Sequence, residues 1–169
     1  KNLNILNSIR TKDPLVLIGT SGTSGSPKLV GLTYKNILTN CDSICSYLNL
    51  SSKSRAINNV PCSYAYGFSI LNTTLNRCGS YICSSEPSYL RQQFWQDMKY
   101  FGITEFSGVP KVYRDLLSLD LLSLMPSSLA CITQAGGKLD LATQEKLLDW
   151  GNQNSCRVLI MYGQTEATA

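Results

Sequence analysis

Six short apolar runs in this chain alternate with longer stretches whose apolar residues recur at helical spacing. The runs Leu15 to Ile18, Ala56 to Val60, Tyr81 to Cys83, Ile103 to Phe106, Leu129 to Thr133 and Arg157 to Met161 read as strands. Between them, Ile37, Cys41, Ile44 and Leu48 share one helical face, and Phe68 to Arg77 is helical. Leu90, Phe94, Met98 and Phe101 form a stripe stopped by Gly102. A helix from Lys111 to Leu119 is entered through Pro110. Asp140 caps a last helix that runs to Trp150, with Gly151 expected just past its end. About six β-α alternations predict an α/β fold, a mostly parallel sheet with helices on both faces. The 169 residues, 43% of them hydrophobic, suffice for one core and argue against disorder.

In an open α/β sheet, ligands bind outside the carboxyl ends of the strands. The loops after the strands are therefore the places to look. They are residues 19–28 (GTSGTSGSPK), 61–67 (PCSYAYG), 107–110 (SGVP), 134–138 (QAGGK) and 162–166 (YGQTE). In a wholly parallel sheet all five lie on one edge, so one shared site is the economical expectation. The first loop is the richest. Thr20, Ser21, Thr23, Ser24 and Ser26 supply hydroxyls, Gly22 and Gly25 let the backbone turn its N–H groups inward, and Lys28 adds a mobile positive charge. Such a set can surround a polyphosphate. It is not a Walker A loop, because Pro27 precedes Lys28 and Leu29 follows it. Nor does it contain a Gly-x-Ser-x-Gly nucleophile elbow. In the last loop, Glu166 is the one carboxylate of the five loops and the natural ligand for the magnesium of a bound nucleotide. Tyr162 can stack on a base, Thr165 can hydrogen-bond a phosphate, and Gly163 permits close approach.

Other classes recede. Net charge is +4 from 15 basic and 11 acidic residues, and the basic ones are scattered, so neither a nucleic acid nor a membrane partner is expected. No long apolar run suggests membrane insertion. The chain has no histidine, which excludes Ser-His-Asp and Cys-His catalysis within it. Its seven cysteines, an odd count without a recurring spacing, read as free thiols of a cytoplasmic protein. Cys41 and Cys45 lie one helical turn apart and read as small core residues rather than a metal pair.

TSGTSGSPK at 20–28 resembles the phosphate loop of the acyl-adenylate-forming superfamily, which includes acyl-CoA synthetases, nonribosomal peptide synthetase adenylation domains and luciferases. YGQTE at 162–166 resembles that superfamily's second signature. PCSYAYG, SGVPKVY at 107–113 and AGGKL at 135–139 lie between them in the expected order. The resemblance implies an enzyme that joins a carboxylic acid to the α-phosphate of ATP, then passes the acyl group to a thiol, coenzyme A or the phosphopantetheine of a carrier protein. It implies that Thr20, Ser21, Gly22, Thr23, Ser24, Gly25 and Lys28 hold the β- and γ-phosphates. Ala135, Gly136 and Gly137 would border the adenine, with Tyr162, Gly163 and Gln164 against it. Thr165 would contact the α-phosphate and Glu166 would bind Mg²⁺; Lys28, Thr165 and Glu166 are the catalytic candidates. Tyr64, Tyr66, Gly67 and Gly108 would line the substrate pocket, while Phe68 reads as core.

Departures accompany the resemblance. The family often carries a histidine where Tyr64 stands, and a tyrosine carries no charge near neutral pH. Tyr64 reads equally as a tunnel residue or as packing. The family's ribose-binding aspartate, a following arginine and a C-terminal catalytic lysine fall beyond YGQTE. Residues 1–169 are accordingly expected to be a single α/β subdomain of an AMP-binding domain, inactive alone. Two other readings remain: a non-catalytic nucleotide-binding or interaction module, and a Ser/Lys amidase-like hydrolase using Ser21 or Ser24 with Lys28.

Overall fold

A computed structural model of the chain describes residues 13–20 and 28–168. Its first two strands, β1 (Pro14–Thr20) and β2 (Lys28–Thr33), form a separate antiparallel ribbon, with Thr20 opposite Lys28 and Ile18 opposite Val30. Side chains alternate across such a ribbon. Ile18 and Leu32 point inward onto Ala65, beside Ile37 and Phe68, while Leu15, Leu17 and Leu29 face outward. β1 thus occupies the predicted position, yet it pairs with a neighbour in sequence rather than joining the parallel sheet. Period-2 alternation identifies a strand without naming its partner.

Helix α1 (Tyr34–Leu48) follows β2 directly. Thr33 and Asn36 form a reciprocal capping box: the Thr33 Oγ1 accepts from the Asn36 N–H at 3.2 Å, and Asn36 Oδ1 accepts from the Thr33 N–H at 3.2 Å. The remaining elements are β3 (Arg55–Ile57), α2 (Ala65–Asn76), β4 (Ser80–Ile82), α3 (Gln92–Tyr100), β5 (Glu105–Gly108), α4 (Pro110–Ser118), β6 (Cys131–Gln134), α5 (Leu141–Gln153) and β7 (Arg157–Ile160). Short 3₁₀ turns lie at Leu121–Leu124 and Thr165–Ala167.

β3 to β7 make a five-stranded parallel sheet in the order β4-β3-β5-β6-β7. One face carries Phe106 and Ile132 into the main core, built with Phe94 and Met98 of α3, Tyr113 and Leu116 of α4 and Leu147 of α5. The other face carries Cys131 and Leu159 against Ile44 and Leu48 of α1. Helices therefore cover both faces. Cys41 and Cys45 are buried on α1 as core residues, and all seven cysteines are free thiols.

Asp140 caps α5, its Oδ1 accepting from the Thr143 N–H at 2.9 Å. The end of that helix differs from expectation. Gly151 lies inside α5, which continues to Gln153. A side chain at Gly151 would meet Val158 Cγ2 at 2.5 Å, so this glycine lets the helix lie close on β7 and does not end it.

Candidate functional site

β3 leads to α2 on one face of the sheet, whereas β5 leads to α4 on the other. The chain therefore parts between the carboxyl ends of β3 and β5, the switch point at which open α/β sheets hold ligands. Asn59, just past β3, spans that gap by donating its side-chain N–H to the Ser107 carbonyl. Two buried acceptors lie at this edge, Asn59 Oδ1 and Gln134 Oε1, and neither has a donor among the described residues. Buried acceptors are ordinarily paired, so the edge has unmet demand for donors.

The loops after β3, β5, β6 and β7 share this edge, as a parallel sheet requires. Gly108 ends β5, and its carbonyl accepts from the Ala135 N–H at 3.2 Å, joining the second and third of these loops. Past β6, Gly136 turns with φ of +79°, and Gln134 Nε2 holds the turn by donating to the Gly137 carbonyl at 2.9 Å. Gly136 and Gly137 line a cleft whose opposite wall is Tyr162 and Gly163, past β7. Tyr162 is 85% exposed, and its hydroxyl accepts from the Gln164 side-chain amide.

The phosphate-loop candidates divide. Ser21, Gly22, Thr23, Ser24, Gly25, Ser26 and Pro27 lie outside the described residues, and so do both serines of the amidase reading. Thr20 and Lys28 stand opposite each other at the end of the β1–β2 ribbon, with Thr20 Oγ1 3.4 Å from the Lys28 carbonyl. The turn Thr165–Ala167 packs against β2, the strand that Lys28 begins. Asn40 of α1 ties this segment down by donating to the Thr168 carbonyl at 3.0 Å. The exposed Glu166 lines a cleft with Lys35, Asn36 and Asn40. The ribbon and α1 thus meet the YGQTE segment although more than a hundred residues separate it from them in the chain.

The substrate-pocket candidates also separate. Tyr64 is the N-cap residue of α2 and is 63% exposed, so it packs into no core among the described residues. Gly67 is buried in the first turn of α2, where a Cβ would meet the Pro61 carbonyl oxygen at 2.2 Å. Its role is to let the helix start close to its own entry loop. Phe68 packs on the ribbon cluster, as expected. Tyr66 reaches the sheet, and its hydroxyl donates to the Thr133 carbonyl at 2.9 Å and lies 2.8 Å from Thr133 Oγ1. Burial of that hydroxyl pushes the Tyr66 phenol up to about 12.

Tyr66 also borders a narrow channel between α1 and α2 and the sheet. About 50 Å³ of it admits the centre of a water-sized sphere. Ile44 and Leu48 of α1 and Ile70 of α2 form its roof, Ser107 and Thr133 its floor, and it runs from Glu105 to Tyr162 and Gly163. The motifs do not contain the roof residues. The signal for a channel is in the strands: Glu105, Ser107 and Thr133 are polar residues on one face of predicted interior strands, where tight helix packing favours apolar ones.

Comparison with known proteins accords with this architecture. Residues 4–169 match the family of AMP-binding enzymes. An acyl-CoA synthetase of Alternaria alternata is 31% identical over 161 residues, which are 95% of this chain and 27% of that protein. A 2-succinylbenzoate–CoA ligase of Bacillus cytotoxicus is 28% identical over 159 residues, 93% of this chain and 31% of that protein. The chain thus spans about a quarter to a third of the length of these relatives. Among solved structures, o-succinylbenzoate CoA synthetase of Bacillus subtilis, in complex with its acyl-adenylate intermediate, superposes with a TM-score of 0.80 at 23% identity, covering 95% of this chain and 32% of that one. With the family matched across nearly its full length and the fold shared, this chain belongs to the AMP-binding enzymes.

Proposed function

We propose that this chain is the nucleotide-binding portion of a ligase that activates a carboxylic acid as an acyl-adenylate and transfers it to a thiol, coenzyme A or a carrier-protein phosphopantetheine. The observation that carries the reading is the meeting of the Lys28 strand with the Glu166 turn, beside a Gly-Gly cleft faced by Tyr162. β2, which begins with a cation, and the turn that bears the carboxylate come from opposite ends of the sequence and pack together, which supports a shared magnesium–triphosphate site.

In this reading Thr20, Lys28 and the hydroxyls of residues 21–26 bind the β- and γ-phosphates, and the Gly136–Gly137 turn and Tyr162 enclose the adenine. Thr165 positions the α-phosphate. Glu166 would hold Mg²⁺, a hard cation suited to an exposed carboxylate oxygen, and the ion offsets phosphate charge when bound. The acid's carboxylate oxygen attacks the α-phosphorus. A P–O bond forms to the acyl group as the bond to pyrophosphate breaks. The acceptor's sulfur then attacks the acyl carbon and AMP departs. The charge that builds around phosphorus makes positioning and electrostatic stabilisation the main contributions of the protein.

The test is acid-dependent exchange of labelled pyrophosphate into ATP by the full-length protein. Lys28→Ala and Glu166→Gln are each expected to slow exchange on the order of a hundredfold. Exchange at the parent rate in both variants would overturn the assignment of these loops.

A further inference from the structure

Gln134 ends β6 in the middle of the carboxyl edge, with Gly108 of β5 on one flank and Ile160 of β7 on the other. Strand alternation turns Thr133 toward the channel and Gln134 toward the opposite face, where it lines the cleft between the Gly136–Gly137 turn and Tyr162. Gln134 is only 2% exposed. A glutamine is seldom enclosed to that degree without a partner for its amide.

Both walls of the cleft hang from this residue. Its side-chain Nε2 donates to the Gly137 carbonyl at 2.9 Å, and its main-chain carbonyl accepts from the Met161 N–H at 2.7 Å, one residue before Tyr162. The two bonds differ in what they ask of the sequence. The second continues the β6–β7 ladder, and any residue supplies that carbonyl. The first needs a side-chain donor of this reach. Because the Gly137 carbonyl only accepts, the amide must present its nitrogen there; reversed, it would set two oxygens against each other.

The turn has physical reason to need such a hold. Two consecutive glycines leave the backbone many conformations, and Gly136 takes a φ of +79°. Ordering a flexible segment at the moment of binding subtracts from affinity, and ordering it beforehand removes that cost. Gln144 of α5 secures the outgoing end of the same segment, its Nε2 donating to the Leu139 carbonyl at 2.7 Å. The segment is thus gripped from β6 at its glycines and from α5 at its exit.

We infer that Gln134 is the positioning residue of the nucleotide cleft. It preorganises the Gly136–Gly137 wall against Tyr162 and so sets the affinity for the adenine end of ATP, with no part in the reaction at phosphorus. This inference rests on the acyl-adenylate reading and deepens it, because the motif residues to which that reading gives roles begin at Ala135.

The test uses the full-length protein. Its readouts are the KM for ATP in acid-dependent pyrophosphate exchange and the Kd for adenosine, which carries no phosphate. Gln134→Met keeps the length of the side chain and removes the donor. It should raise both constants about tenfold, the worth of one hydrogen bond. The KM for pyrophosphate and the rate at saturating ATP should stay within about twofold of the parent. A mere loss of folded protein would lower the rate and leave the KM alone. Gln134→Glu supplies a second arm. Its neutral carboxyl can donate to the Gly137 carbonyl and its carboxylate cannot, so adenosine affinity relative to the parent should fall about tenfold between about pH 6 and about pH 9. Lys138 and Tyr162, the titratable side chains that line the cleft, are present in the parent as well, and the ratio removes their part. Unchanged constants in a folded Gln134→Met protein would overturn the inference, as would a flat ratio for Gln134→Glu or a parent that binds no adenosine. Absence of exchange with every acid, beside adenosine binding that still responds to both variants, would instead sink the acyl-adenylate reading and leave Gln134 in its role.

Discussion

Thr133 receives a hydroxyl from each side of the sheet. Tyr66 donates to its carbonyl from the α2 side, and Tyr113, wholly buried on α4, donates to the same carbonyl at 2.6 Å from the other. Neither bond is legible in a one-dimensional pattern, because each depends on which face a helix finally covers. Thiol behaviour follows more directly from single-residue burial. Cys62, Cys78 and Cys83 are exposed, whereas Cys41, Cys45, Cys131 and Cys156 are buried. Iodoacetamide is expected to modify the three exposed thiols in the folded chain and all seven after denaturation, as counted by mass spectrometry. Burial also pushes the Cys131 thiol up to about 12, and those of Cys41 and Cys156 to about 11, from an ordinary 9.0. Below pH 9.0 both folded and unfolded chains keep these protons, so their contribution to stability is complete. Above it the unfolded chain releases protons that the folded chain retains, and stability falls as pH rises toward the folded values. Urea midpoints should hold steady up to about pH 9 and decline beyond it; a midpoint that rises there would contradict the burial of these thiols.

Elements whose ends are marked by local chemistry were the ones visible in the sequence. Pro110 at the start of α4, Gly102 with φ of +59° after α3, and Asp140 before α5 each act within one turn of the chain. β2 went unseen because Lys28–Thr33 follows the Gly/Ser loop without a break, and its pairing with β1 is a property of two segments together. Gly151 misled because close helix–strand packing, which only the fold reveals, demands the same residue as a helix stop. The capping box of α1 gives a test at this scale. Thr33→Ala removes the acceptor for the Asn36 N–H and should cost about 1 kcal/mol in chemical denaturation. A loss near zero would mean that α1 is held by its buried face alone.

At the level of the molecule, four carboxyl-terminal strand ends and one ribbon supply the candidate site, and the sequence disclosed those four loops as neighbours because parallel strands leave no alternative. The position of the ribbon was not disclosed: it meets the 165–167 turn through packing of β2 on that turn. The channel was likewise invisible, since Ile44, Leu48 and Ile70 read as ordinary core until the polar floor beneath them is seen. Tyr162 and Gly163 border the channel on one side and the Gly-Gly cleft on the other, so they are a party wall between two chambers. Whatever settles the ring from one chamber reshapes the other. Tenants of the two chambers must then alter each other's affinity by one common factor, whichever arrives first.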